Sequence, residues 1–143
     1  MYDRILLPTD GSSATTEALE HAVTIAADQD ATVQVLYVLD KRHYMAASED
    51  STDEIRRSLE EEAERAVDDA RVRLEEEGID CETATLEGVP HKTITDFATE
   101  QAVDLIVMGT HGKTGPERIA TLGSTTERVV KNADEPVLVV EIG

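Results

Sequence analysis

Apolar positions along the chain switch between two spacings. Short unbroken runs alternate with stretches in which apolar residues recur every three or four positions. Ile5-Leu6-Leu7-Pro8, opened by Arg4, predicts strand one over Arg4–Pro8. Ala18, Leu19, Ala22, Ile25 and Ala26 fall on one helical face. They predict helix one over residues 13–28, entered through the cap-forming turn Asp10-Gly11-Ser12-Ser13. The β-branched and apolar residues from Thr32 to Leu39 predict strand two. Residues 41–50 carry no regular period. Ser51 and Glu54 have capping-box spacing and begin a stripe of Ile55, Leu59, Ala63, Ala66, Val67, Ala70 and Leu74. That stripe predicts a long helix to Glu77, stopped by a left-handed Gly78. Ile79–Leu86, half polar, predicts strand three. Pro90 suits a first helical turn, and Ile94, Phe97, Ala98 and Ala102 continue it as helix three. Asp104–Met108 predicts strand four. Ser124 and Glu127 repeat the capping-box spacing and open helix four through Lys131. Pro136 introduces the run Val137–Ile142 as strand five.

A βα unit is thus repeated and closed by a final strand. The strand runs show little alternation, as strands buried on both faces should. Right-handed crossovers then give a five-stranded, doubly wound parallel sheet, an α/β fold of Rossmann-like type, in one domain over residues 1–143. In such sheets ligands bind beyond the carboxyl ends of the strands, where strand order reverses. Pro8-Thr9-Asp10 at the end of strand one, Val38 and Leu39 at the end of strand two, and Gly109 at the end of strand four are expected on one rim.

Composition narrows the function classes. A net charge of −18 repels phosphate backbones at long range, so nucleic acid is not an expected partner. The acidic runs Glu60–Glu62, Asp68-Asp69 and Glu75–Glu77 are expected on solvated surface. Many carboxylates with few lysines resemble proteins of salt-loving cytoplasms, where salt screens self-repulsion. No apolar run is long enough to cross a bilayer and the N-terminus does not read as a signal peptide, so a cytoplasmic location and no membrane contact are expected. Cys81 is the single cysteine, which excludes an intrachain disulfide and a multi-cysteine metal site.

The candidate chemistry lies between strand four and helix four. Gly109, Gly112 and Gly115 stud a loop that ends at Gly123-Ser124, where a helix begins. Glycines admit backbone N–H groups close to an anion, and a helix start adds free donors and partial positive charge. The segment predicts a nucleotide-phosphate site from Gly109 to Thr126. Gly112-Lys113-Thr114 is not a P-loop tail, because Val107 stands where the first glycine is needed, and no G-x-G-x-x-G follows strand one. His21, His43, His91 and His111 form no metal-ligand spacing. No G-x-S-x-G elbow and no Walker-type acid accompany the loop, so no catalytic residue is assigned.

These blocks resemble the universal stress protein family over nearly the whole chain. The resemblance rests on ILLPTDGS at the start, GVP-H-x-x-I before helix three, DLIVMGTHGKTG, GSTTERVVK and the final PVLVV. It implies the same five-stranded fold, a homodimer, and in one branch ATP binding through a loop G-x2-G-x9-G-[ST]. Gly109, Gly112 and Gly123-Ser124 follow that pattern, with ten residues rather than nine between Gly112 and Gly123. By the same resemblance Pro8, Thr9 and Val38 meet the adenine and ribose, and Asp10 binds the ribose or sits near the phosphates. Gly109, Gly112 and the residues between them, His111 included, wrap the phosphates, with Met108, Lys113, Thr114 and Gly123 also nucleotide-binding, and Ser124, Thr125 and Thr126 donate at the helix start. ATP with Mg²⁺ is the implied ligand, held as a regulatory switch with little or no hydrolysis. The dimer would pair the strand Val137, Leu138, Val139 and Val140 of two copies. The rival readings are a nucleotide-free interaction module of the same family and a slow ATPase or phosphotransferase.

Overall fold

The computed structural model describes residues 1–40, 42, 49–110 and 122–141. Along the chain run β1 (Arg4–Thr9), α1 (Ser13–Gln29), β2 (Thr32–Asp40), α2 (Glu49–Glu76) and β3 (Cys81–Gly88). They are followed by α3 (Pro90–Glu100), β4 (Leu105–Gly109), α4 (Ser124–Asn132) and β5 (Val137–Val140). The strands form one parallel sheet in the order β3-β2-β1-β4-β5. The five-stranded, doubly wound α/β fold expected from the sequence is therefore present.

The unbroken apolar runs have the cause anticipated for them. Ile5 and Leu7 face a core built with Ala18, Ala22, Ala63 and Leu74 of α1 and α2. Leu6, between them, faces the opposite core with Ile94 and Ala98 of α3 and Val129 of α4. Helices cover both faces, so the middle of the central strand, Ile5 to Leu7, is apolar throughout. Small alanines along α1 and α2 let those helices lie close to the sheet. On the outer surface Arg73 of α2 pairs through both arms with Glu20 of α1, at 2.6 and 2.8 Å, and with Glu77 at 2.6 Å.

Three helices end in the same way. Gly78, at φ 71°, follows α2 and donates its N–H to Glu75 O at 2.9 Å, while Ile79 N–H reaches Leu74 O at 3.0 Å. This is a Schellman closure, and Ile79 is the buried apolar residue that accompanies it. Ile79 therefore belongs to the turn, and β3 begins at Cys81 rather than Ile79. After α3 the left-handed residue is Ala102, at φ 51°, with Val103 N–H on Ala98 O at 3.1 Å. Ala102, expected on the apolar helix face, is exposed in this turn, and Val103 fills the core instead. After α1 the left-handed position is Asp30, at φ 55°, with Ala31 N–H on Ala26 O at 3.0 Å.

Two further expectations shift. The long helix begins at Glu49, ahead of Ser51, so the Ser51–Glu54 spacing lies inside it and does not cap it. The final strand ends at Val140, ahead of Glu141, and Ile142 lies outside the described residues. The two sheet edges differ. β5 presents Val137, Leu138 and Val139 half-buried. β3 presents Glu82, Thr85, Leu86 and Glu87 to solvent. Among the described residues no helix is long and apolar enough to cross a membrane.

Candidate functional site

Strand order reverses between β1 and β4. β1 pairs with β2 along its whole length, from Arg4↔Thr32 to Thr9↔Tyr37. Its ladder with β4 holds only Ile5↔Leu105 and Leu6↔Ile106. Beyond those pairs no further ladder pair joins the two strands toward their carboxyl ends, and the switch point is where such sheets open a crevice. Pro8, Thr9 and Asp10 form one lip. Met108 and Gly109 form the other.

On the β1 lip Pro8 is half-buried and Thr9 is buried. Thr9 Oγ1 accepts the Gly11 N–H at 3.1 Å, and Gly11 itself takes φ 80°, open to glycine at little cost. Asp10 Oδ1 accepts the Ser12 N–H at 2.9 Å and the Thr15 hydroxyl at 3.4 Å. Thr9 and Asp10 thus shape the turn into α1 while standing at the rim. Ser12 is the N-cap of α1, but its side chain makes no capping bond and its buried Oγ has no partner among the described residues. Val38 is half-buried one residue beyond Tyr37, on the sheet face covered by α3. Tyr37 lies on the other face, and burial, then the charge of Asp10, push its phenol above the usual value.

On the β4 lip Met108 is buried against the α3–α4 core and Gly109 is half-buried. Thr110 N–H donates to Val140 O at 3.0 Å, and Gly123 N–H donates to Thr110 O at 2.7 Å. Thr126 Oγ1 donates to Gly109 O at 2.9 Å. The exit from β4 and the entry to α4 are therefore bonded directly to each other.

Gly123, with extended backbone, is the N-cap of α4, and its carbonyl accepts the Glu127 N–H at 2.9 Å. Ser124 stands inside the first turn, so the capping box expected of Ser124 and Glu127 does not form. The Glu127 carboxylate turns instead to Lys131 Nζ at 2.7 Å, whose hydrogen bond and charge hold it below the usual carboxylate range. Gly123 has no side chain to cap the helix. The N–H groups of Ser124, Thr125 and Thr126 precede the first intrahelical donor, the Glu127 N–H, and such donors suit an anion.

The structure brings Pro8, Thr9, Asp10 and Val38 to the same rim as Met108, Gly109, Gly123, Ser124, Thr125 and Thr126. His111, Gly112, Lys113 and Thr114 lie outside the described residues. Two residues at the rim lie outside the motifs, Thr15, which bonds Asp10, and Tyr37, beside Asp10, while Thr110, inside the glycine-loop block, ties the loop end to β5. A threonine directly after the Gly109 that ends an apolar run was the available signal for Thr110. Tyr37, within an otherwise aliphatic run, was the one for the rim of β2.

Fold and rim together define a doubly wound α/β protein with a helix terminus beside its topological switch point. The profile of the Universal stress protein family matches residues 1–141, and the chain belongs to that family. Universal stress protein MJ0531 of Methanocaldococcus jannaschii is 46% identical over 142 residues, covering 99% of this chain and 83% of the relative. The solved structure of hypothetical protein MJ0577, from the same organism, superposes with a TM-score of 0.89 at 36% identity, covering 100% of this chain and 98% of that one. A universal stress protein solved in complex with cAMP matches with a TM-score of 0.75 at 26% identity, covering 97% of each chain.

Proposed function

We propose that this protein binds ATP in the crevice between β1 and β4 and uses it as a regulatory ligand, with little or no hydrolysis. The observation that carries the reading is the early end of the β1–β4 ladder beside the start of α4. The solved family member in complex with cAMP supports an adenine nucleotide. Pro8, Thr9, Asp10 and Val38 would take the base and ribose. Gly109, Gly123 and the amides of Ser124 and Thr125 would take the phosphates, together with His111, Gly112, Lys113 and Thr114. Among the described residues no three His, Cys, Asp or Glu side chains group to hold a metal. Mg²⁺ would enter on the triphosphate, its shell completed by water. The working unit would be a cytoplasmic homodimer paired through Val137–Val140.

Calorimetric titration and thermal melts with Mg·ATP at high salt test the reading. ATP at a hundred times its Kd is expected to stabilise the fold by about 2.7 kcal/mol, while phosphate release stays near background. Fast Mg²⁺-dependent turnover would instead make the protein an enzyme. No heat at millimolar ATP would favour an interaction module without nucleotide. The dimer is tested by light scattering, with Val139→Lys expected to give monomer.

A further inference from the structure

The geometry points to Thr126 as a positioning residue that holds the mouth of the phosphate loop closed, rather than as a hydroxyl donor to phosphate; this rests on the nucleotide reading above. Thr126 is 4% exposed, so its side chain is not open to a solvated anion. A hydroxyl has one proton to donate, and this one is committed to Gly109 O at 2.9 Å.

The direction of that bond follows from the peptide plane. In a trans peptide the N–H and C=O point opposite ways. Thr110 N–H is turned to Val140 of β5, so Gly109 C=O in the same peptide faces the β1 side. There the ladder with β1 has already ended. Thr126 Oγ1 supplies the partner that β1 no longer gives, and it does so from the first turn of α4. The next carbonyl, Thr110 O, accepts the Gly123 N–H at 2.7 Å. Two successive carbonyls of the β4 exit are thereby fastened to the α4 entry, one by backbone and one by a side chain. This sets the distance and angle between Gly109 and the free amides of Ser124 and Thr125, between which the phosphates would sit. Without the hydroxyl, Gly109 O lacks its partner and the β4 exit and α4 entry lose half of their direct connection.

The experiment compares Thr126→Val, which keeps the volume, with Thr126→Ser, which keeps the hydroxyl. ATP and adenosine are titrated against both variants and the unaltered protein, and amide exchange is followed without ligand. Thr126→Val is expected to weaken ATP about tenfold and to leave adenosine unchanged, because adenosine does not use the phosphate lips. Thr126→Ser is expected to bind ATP within about twofold of the unaltered protein, by keeping the same donor. Equal loss for both ligands, no loss for ATP, or failure of serine to restore binding overturns the inference. Amide exchange gives a test independent of nucleotide and of the valine variant's folding. In the unaltered protein the Gly123 amide should exchange about a hundredfold more slowly than that of Ser124; equal rates overturn the clasp. If the unaltered protein binds no ATP, the nucleotide reading falls, and the exchange rates alone then uphold or overturn the clasp.

Discussion

Asp104 joins the first and fourth strands at the end of the sheet away from the crevice. Its Oδ2 accepts the N–H groups of Asp3 and Arg4 at 2.8 and 3.0 Å, and its own N–H returns to Arg4 O at 2.8 Å. The bond from Arg4, then that from Asp3, hold its carboxyl below the usual value. A carboxyl depressed in the folded state contributes stability above its unfolded pKa of about 3.9, and that contribution fades as pH falls through the folded value. Asp104→Ala is therefore expected to lower Tm by a few degrees at neutral pH and to leave acid melting less steep below pH ~4. Thermal melts from pH 7 downward check this; parallel curves for the two proteins would refute it.

Helix ends give the next scale its clearest test. Ala102 holds a left-handed conformation that glycine adopts freely and that costs an L-residue roughly 1–2 kcal/mol. Its side chain is exposed, so nothing packed is lost when it is removed. Ala102→Gly is expected to raise stability by about 0.5–1 kcal/mol, while Gly78→Ala lowers it by about 1 kcal/mol at the equivalent place after α2. At Gly78 an added Cβ would meet nothing within 4 Å, so that cost is conformational alone. Urea titrations of both variants measure the pair, and a loss of stability in Ala102→Gly would contradict the account. The same residues show what was legible in the sequence. Strand and helix bodies were readable because Ile5, Leu6 and Leu7 are covered on both faces and α2 keeps one apolar stripe. The ends were less so. Gly78 announced its turn, but Ala102 looked like one more helical alanine, because its left-handed backbone is set by where Val103 must be buried. At the site, Gly109 and Gly123 punctuate the loop plainly. The Thr126 hydroxyl bond depends on how closely α4 approaches β4, which no local spacing reveals, so Thr126 read as a donor to the nucleotide at a helix start.

Over the whole molecule the net charge of −18 opposes compaction. The Debye length falls from about 10 Å at 0.1 M salt to about 3 Å at 1 M, so raising KCl across that range is expected to raise Tm by several degrees. A melting temperature indifferent to salt would show that the acidic surface places no such demand on the fold. The unlike sheet edges matter at this scale too. In the proposed dimer β5 meets its own copy about a two-fold axis, which uses up the apolar edge in both partners. What then faces outward at each end is β3, whose Glu82 and Glu87 would meet like charges on any further copy. Growth of that proposed dimer would therefore be self-limiting: two chains would form a continuous ten-stranded ribbon whose tips repel their own kind, so crowding would not draw it out into fibres.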